Sequence, residues 1–328
     1  MHAVRLHAHG PAENLTYEEV DDPEPGPGQV RVAVAAAGVH LLDTALREGL
    51  PGPAPAPVQL PTVPGREVAG TVDALGEGAD PALLGRRVVA HLGFAPGGYA
   101  ELAVTGTERL HAIPGGLDAA QAVAMIGTGR TALGIAQFTD LGPESVAVVL
   151  AAAGGIGTLL VQYAKNAGAT VVGLAGGPAK TALVRANGAD LAVDYRDADW
   201  PDTVRAYLGG RPATDVFDGV GGAAARASVA LLDGSAGGRH LVYGWAAEGL
   251  GTGGAHLVDG VSQQVLGPAM LRRAGGADPL RTLELRALAE AAAGRLVPAV
   301  TRFPLAAAAD AHRALETRAT TGKVVLEP

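Results

Sequence analysis

One stretch near the middle of the chain restricts its fold more than any other. Val146-Ala-Val-Val-Leu-Ala-Ala-Ala-Gly-Gly-Ile-Gly157 is an apolar run that meets a glycine-rich turn and passes into a helical pattern over Thr158-Leu-Leu-Val-Gln-Tyr-Ala-Lys-Asn-Ala167. A buried strand, a tight turn and a helix in that order are the first half of a βαβ unit. Gly154 and Gly157 fill the second and third places of a G-x-G-x-x-G fingerprint, Gly155 and Ile156 lie between them, and Ala152 replaces the first glycine. Backbone at such a turn can approach a pyrophosphate at the helix N-terminus, whereas an ordinary βα turn would bind nothing. The next strand, Thr170-Val-Val-Gly-Leu174, arrives where the unit requires it.

The rest of the chain divides around this unit. From about Leu117 an alanine-rich helical stretch precedes strands near Ser145–Leu150, Thr170–Leu174, Leu191–Asp194, Asp215–Asp218 and His240–Tyr243, alternating with helices as in a parallel sheet. Before it, Gln29–Ala36, Glu67–Ala74 and Arg87–His91 are short β-rich segments separated by turn residues, as in an antiparallel, barrel-like domain. The proline-rich stretch Pro51–Pro64 reads as a surface loop, since proline has no amide hydrogen to donate. A helix is expected over Thr282–Ala293 and a last strand over Gly322–Leu326. The fold class is therefore α/β, a Rossmann-type doubly wound parallel sheet beside a β-rich domain.

Composition removes whole classes of chemistry. The 328 residues contain no cysteine, so there is no disulfide framework, thiol nucleophile or thiolate zinc site. No apolar run approaches the roughly 20 residues of a membrane span, and Met1-His2-Ala3-Val4-Arg5 enters a strand pattern without a signal-peptide series. A net charge of −8 argues against general affinity for nucleic acid. The expected setting is the cytoplasm, with no membrane and no nucleic acid as partners.

Beyond the fingerprint, the second strand ends at Ala175-Gly176-Gly177, where an NAD site would place Asp or Glu on the ribose 2′-hydroxyl. No acid stands there. Lys180 follows, one of only three lysines in the chain, and Tyr195 closes the next strand. The pair could converge on a 2′-phosphate, which points to NADPH; Lys180 as a solvated helix residue is the plainer alternative.

Several stretches together carry a family likeness: Ala36-Ala-Gly-Val-His-Leu-Leu-Asp43, Val63-Pro-Gly-Arg-Glu-Val-Ala-Gly70, Gly97-Gly-Tyr-Ala-Glu101, Gly129-Arg-Thr-Ala132, the glycine-rich turn, Asp194-Tyr-Arg196 and Thr320-Thr-Gly-Lys-Val-Val-Leu326. The sequence resembles the medium-chain dehydrogenase/reductase superfamily, and within it the zinc-free NADPH:quinone oxidoreductases related to zeta-crystallin. The resemblance implies a GroES-like catalytic domain from residues 1–123 and 264–328 and a Rossmann NADP-binding domain from residues 124–263. It implies that Thr131 contacts the nicotinamide amide and that Lys180 and Tyr195 hold the 2′-phosphate. Tyr243, Gly244 and the tail around Arg318 and Lys323 would flank the nicotinamide end. Gly176 stands where the family usually has serine or threonine. The implied catalytic set is His40, Asp43 and Arg66, the partner a small conjugated carbonyl or quinone, and the assembly a homodimer.

Zinc-dependent members of the superfamily carry cysteine and histidine where this chain has His40 and Arg66. An arginine donates only and stays charged, so no metal site is expected. Arg66 and Glu67 are expected to form an ion pair fixing a strand start, in preference to acting on substrate. The quinone reductases usually have Asn at position 40 and Tyr at position 45, where this chain has His40 and Ala45; both positions line the substrate cleft in the family. His40 is thus either a proton donor to an acceptor oxygen or a packed, hydrogen-bonded histidine. The activity expected is hydride transfer from NADPH to a quinone or an α,β-unsaturated carbonyl compound. The alternatives are a non-catalytic NADPH-binding protein and a redox-neutral biosynthetic enzyme on the same fold.

Overall fold

The computed structural model of the chain describes residues 1–50, 59–234, 237–244, 246–247 and 261–328. Most of the proline-rich stretch, residues 51–58, lies outside the described residues; residues 59–64 contain no helix and no strand beyond an isolated bridge from Thr62 to Leu6. The chain divides into two compact units, Met1–Thr128 with Pro298–Pro328, and Gly129–Val297.

In chain order, the first unit contains β1 (His2–Leu6), β2 (Leu15–Glu19), β3 (Gln29–Val39), α1 (Leu41–Arg47), β4 (Glu67–Leu75), β5 (Arg87–His91), β6 (Leu102–Gly106), β7 (Leu110–Ala112) and α2 (Ala119–Val123). The second contains α3 (Arg130–Ala136), β8 (Val146–Val149), α4 (Gly155–Asn166), β9 (Thr170–Ala175), α5 (Pro178–Ala186), β10 (Leu191–Asp194), α6 (Trp200–Leu208), β11 (Asp215–Asp218), α7 (Gly222–Val229), β12 (Arg239–Val242), β13 (Ser262–Val265) and α8 (Pro279–Ala292). The chain then completes the first unit with β14 (Val300–Pro304), α9 (Ala308–Glu316) and β15 (Lys323–Glu327).

The first unit is organised around β3. Its valines and alanines alternate between faces over Gln29–Val34, then stay buried from Ala36 to Val39, beyond a register shift between Val34 and Ala36. β-branched residues at a period of two suit a half-buried strand. β4, β6 and β15 all pair antiparallel with β3, and the sheet runs β14-β15-β3-β4-β5-β7. Val30, Val32, Val68, Val72, Val88, Val324 and Leu326 share one core. This arrangement brings the C-terminal strand against the middle of the N-terminal sheet.

The second unit is an all-parallel sheet in the order β10-β9-β8-β11-β12-β13. That is the doubly wound order of dinucleotide-binding folds, and the strand order reverses between β8 and β11, the crevice where such sheets bind ligands. The glycine-rich turn leaves the carboxyl end of β8, at that crevice.

The sequence placed the return to the first unit at residue 264, but it falls at Pro298. The reason is α8. It packs on α3, where Arg130 pairs with Glu284 at 2.7 Å and Gly134 leaves room for Leu271; a Cβ there would lie 2.6 Å from the leucine Cδ2. Helix α8 was legible but its partner was not, because a helix's apolar face does not name what covers it.

Candidate active site

The nucleotide turn is built by steric exclusion. Ala151 takes a left-handed φ of 48°, and its carbonyl accepts the Gly154 N–H at 2.8 Å. Ala152 N–H donates to Leu174 O of β9 at 2.9 Å, tying the turn to the next strand. The strain of the missing first glycine therefore rests on Ala151, and Ala152 is free to be a buried alanine. Gly157 has no such freedom: a Cβ there would overlap the Ala151 carbonyl oxygen and stand 2.8 Å from Ala152 Cα. Its absence lets α4 start against the strand end, with no side chain capping the helix at Gly154. The N–H groups of Gly155, Ile156 and Gly157 have no carbonyl within the helix to receive them, which is the geometry that suits an anion. Gly157→Ala is expected to cost about 1–3 kcal/mol in stability and to weaken dinucleotide binding by roughly tenfold or more. Fluorescence titration with reduced dinucleotide checks this, and unchanged affinity would remove the turn from the site.

At the end of β9 the structure gathers more than the sequence anticipated. A Cβ on Gly176 would lie 3.0 Å from the Tyr195 hydroxyl, so the glycine leaves that phenol open. Gly177, at φ 98°, donates its N–H to Asp194 Oδ2 at 2.8 Å. Asp194 is delivered from β10 by its pairing with Ala175. An acid therefore does stand at this turn, brought by the neighbouring strand and not by the second strand itself. It is occupied by Arg196, whose Nε and Nη2 donate to it at 2.9 and 2.6 Å. That hydrogen bond holds the Asp194 carboxyl down at about 2. Arg196 is exposed beside Gly177, a second cation at this turn besides Lys180 to which the Asp194-Tyr-Arg196 motif alone gives no role. Lys180 lies in the first turn of α5, half-buried.

The residues assigned to the nicotinamide end are divided between the two units. In the second unit, Tyr243 and Gly244 follow β12 and close on Gly219: a Cβ on Gly219 would be 2.7 Å from the Tyr243 ring, and one on Gly244 2.8 Å from Gly219 O. Tyr243 N–H donates to Asp218 O at 2.9 Å. The buried Asp218 carboxylate accepts from the Val220 and Gly221 N–H groups and pairs with His240 at 3.0 Å, which fixes the ends of β11 and β12. Thr131 is the second residue of α3 and half-buried. In the first unit, Arg318 is exposed beyond α9 at φ 57°. Lys323, expected with them, is instead 4% exposed and holds Glu67 Oε2 at 2.8 Å. Its ammonium is committed inside the first unit.

Glu67 is the centre of a buried ionic cluster in that unit. Its other oxygen, Oε1, lies 2.8 Å from His40 Nε2. Room for the carboxylate comes from two glycines, since a Cβ at Gly38 or Gly127 would overlap it. Burial alone would raise the Glu67 carboxyl, but the charges of His40 and Lys323 hold it well below the ordinary carboxylate range. Asp43 sits beside it in the first turn of α1. Its Oδ2 accepts the His40 backbone N–H at 2.9 Å and the Tyr99 hydroxyl at 3.0 Å, and lies 3.5 Å from His40 Nδ1. Burial opposes its ionisation; hydrogen bonding and charge from His40, with Arg66 beyond, keep it at about 2. Tyr99 is raised well above its usual value by burial and by Asp43, and contacts His312 Nε2 at 3.2 Å. Burial lowers His312 to about 4, so both stay neutral.

Two expectations change here. Arg66 does not pair with Glu67; its Nε lies 3.9 Å from Asp43 Oδ1. And His40 has no ring nitrogen to offer an acceptor, because Nε2 is on Glu67 and Nδ1 is buried facing Asp43. Burial would lower His40, yet Glu67 and Asp43 raise it. Ala45, expected to open the pocket, is itself buried in α1. Tyr99 stood only inside a family motif and His312 was not singled out; a tyrosine after two glycines and a lone histidine in a helix give no local sign of a shared network.

Comparison with known proteins agrees with this geometry. The alcohol dehydrogenase GroES-like domain family matches residues 26–115, and the zinc-binding dehydrogenase family matches residues 155–272. The chain is 34% identical to a quinone oxidoreductase of Pseudomonas aeruginosa, over 99% of both chains. It is 31% identical to a 2-haloacrylate reductase of a Burkholderia species, over 99% of this chain and 98% of that one. The crystal structure of Escherichia coli quinone oxidoreductase complexed with NADPH superposes with a TM-score of 0.84 at 25% identity, covering 100% of each chain. The chain belongs to the medium-chain dehydrogenase/reductase superfamily, in its quinone oxidoreductase family.

Proposed function

We propose that this chain is a zinc-independent, NADPH-dependent oxidoreductase that reduces a quinone or an α,β-unsaturated carbonyl compound. The observation that carries the reading is the nucleotide cradle, in which Gly157 is emptied of side chain and Gly176 leaves the Tyr195 hydroxyl open. NADPH bound there supplies the hydride. The N–H groups of Gly155, Ile156 and Gly157 hold its pyrophosphate, and Tyr195, Lys180 and Arg196 take the 2′-phosphate. Thr131 and the Tyr243–Gly244 turn orient the nicotinamide. Two relatives support the acceptor class: one is named for a quinone, the other for a 2-haloacrylate, both conjugated.

In the first unit the chain supplies charge. His40 is held between two carboxylates and biases the local potential positive when protonated, without releasing a proton of its own. Arg66 cannot ligate a metal and Glu67 is engaged by Lys323 and His40, so the residues at the zinc-ligand positions do not fit zinc. The same reading includes a homodimer. β13 is an edge strand of the parallel sheet among the described residues, and Val265 on it is exposed, as at a pairing edge. A cytoplasmic setting is part of the reading as well; no helix among the described residues is long and apolar enough to cross a membrane.

The test is steady-state oxidation of NADPH against a panel of quinones, enones and unsaturated acids, before and after chelation. Turnover with at least one acceptor, insensitive to chelator, is expected. NADPH binding without turnover on any acceptor would leave a nucleotide-binding protein, and loss of activity on chelation with recovery on zinc would overturn the metal assignment.

A further inference from the structure

Arg66 stands at the edge of the ionic cluster and makes no hydrogen bond within it. Its side chain is 14% exposed, its Nε is buried without an acceptor, and Asp43 Oδ1 stands 3.9 Å away, beyond hydrogen-bond reach. Its terminal nitrogens reach solvent and meet no acceptor among the described residues. A guanidinium presents five N–H donors in a rigid fork; here the Nε–H is buried without an acceptor, while the terminal N–H groups are hydrated and open to an acceptor arriving from outside.

The neighbouring charges leave room for that acceptor to be an anion. Asp43 is already occupied on Oδ2 by the His40 N–H and the Tyr99 hydroxyl, and Glu67 is divided between His40 and Lys323. Asp43 and Glu67 are balanced by Arg66 and Lys323, so the cluster is formally neutral with His40 uncharged and positive with His40 protonated. One further negative charge at Arg66 completes the balance. A planar two-oxygen group matches the fork bidentately, whereas a single ketone oxygen leaves half of it unmet.

We propose that Arg66 is a specificity-determining contact for a carboxylate on the acceptor, so that the favoured substrates are α,β-unsaturated acids. This rests on the reductase reading given above. The experiment compares crotonate with methyl crotonate, and acrylate with methyl acrylate, in wild type and in Arg66→Met. The esters are intrinsically the better electrophiles, so a wild-type preference for the acids reports recognition. Loss of a charge-assisted pair should raise KM for the acids roughly tenfold to a hundredfold in Arg66→Met, while KM for the esters changes by less than about threefold, within the range of one neutral hydrogen bond. Arg66→Lys, which keeps the charge without the fork, should fall between them. Equal losses on acid and ester, or wild-type turnover of esters alone, would overturn the proposal while the reductase reading stands. If no acceptor is reduced, equilibrium binding of butyrate decides independently. Binding by wild type that Arg66→Met abolishes upholds the anion site with the reductase reading lost, and no butyrate binding by wild type overturns the site.

Discussion

Lys323→Met is expected to destabilise the protein by roughly 3–5 kcal/mol, the cost of leaving a buried carboxylate without one of its partners. Glu67 is fully buried and Lys323 nearly so, and the carboxylate occupies space cleared by Gly38 and Gly127, so it has no alternative position in which to find water. His40 is the remaining partner, which makes the loss pH-dependent. Its folded-state value is raised above the ordinary histidine value, so the stability it contributes is fully present below about pH 6.5 and is lost as pH rises through the folded value. In wild type Lys323 still neutralises Glu67 above that point. In the variant nothing does. The deficit, measured by urea unfolding, should therefore be smaller at pH 6 than at pH 9. Glu67→Gln combined with Lys323→Met should recover much of it, since removing both charges also removes the desolvation problem. A deficit below about 1 kcal/mol, flat with pH, would mean that water or another side chain replaces the ammonium, and that the pair is not what holds β15 to β4.

The same pair shows where sequence reading reaches its limit. Five of the six described strands of the parallel sheet were legible because each is a short, mostly apolar run bounded by turn residues, and Leu191–Asp194 and Asp215–Asp218 match to the residue; β13, Ser262-Gln-Gln-Val265, is largely polar and was not expected. The glycine turn was legible because its constraint is local: Gly157 must be empty for a helix to begin against its own strand. The expected Arg66–Glu67 pair failed for an equally local reason. Adjacent residues entering a strand point to opposite faces, so side chains next to each other in sequence are poorly placed to meet. The true partners of Glu67 come from β15 and from the residue before α1, and only the sheet order β15-β3-β4 brings them together. One signal was available: a lysine opening the apolar run Lys323-Val-Val-Leu is in a strand that will be buried, and a buried ammonium requires a carboxylate. Asp194 and Arg196 stand in the sequence as well, but the acid at the end of β9 is supplied by β10, which the sequence of β9 does not show.

Arg196→Ala tests what that neighbouring strand does to cofactor choice, and its effect should exceed that of Lys180→Ala. If Lys180 meets the 2′-phosphate as proposed, removing it should lower NADPH affinity by roughly tenfold with NADH little changed. Removing Arg196 does two things. It deletes a cation beside Gly177, and it releases Asp194, whose carboxylate then keeps only the Gly177 N–H and the backbone N–H of residue 196. With Arg196 gone, the hydrogen bond that chiefly lowers Asp194 is lost, yet the carboxyl remains ionised at neutral pH because its ordinary value is about 4. An unmasked carboxylate at this turn repels a 2′-phosphate and accepts from a 2′-hydroxyl, which is the arrangement that selects NAD. Affinity for NADPH should fall about tenfold to a hundredfold and affinity for NADH should rise, narrowing or inverting the preference. Arg196→Ala with Asp194→Asn separates the two effects, since removing the acid should restore part of the NADPH affinity but none of the gain for NADH. Parallel titration of both cofactors provides the measurement. If Arg196→Ala weakens NADPH and NADH equally, the turn has lost its shape and the guanidinium serves the fold; if neither changes, the 2′-phosphate rests on Lys180 and Tyr195 alone.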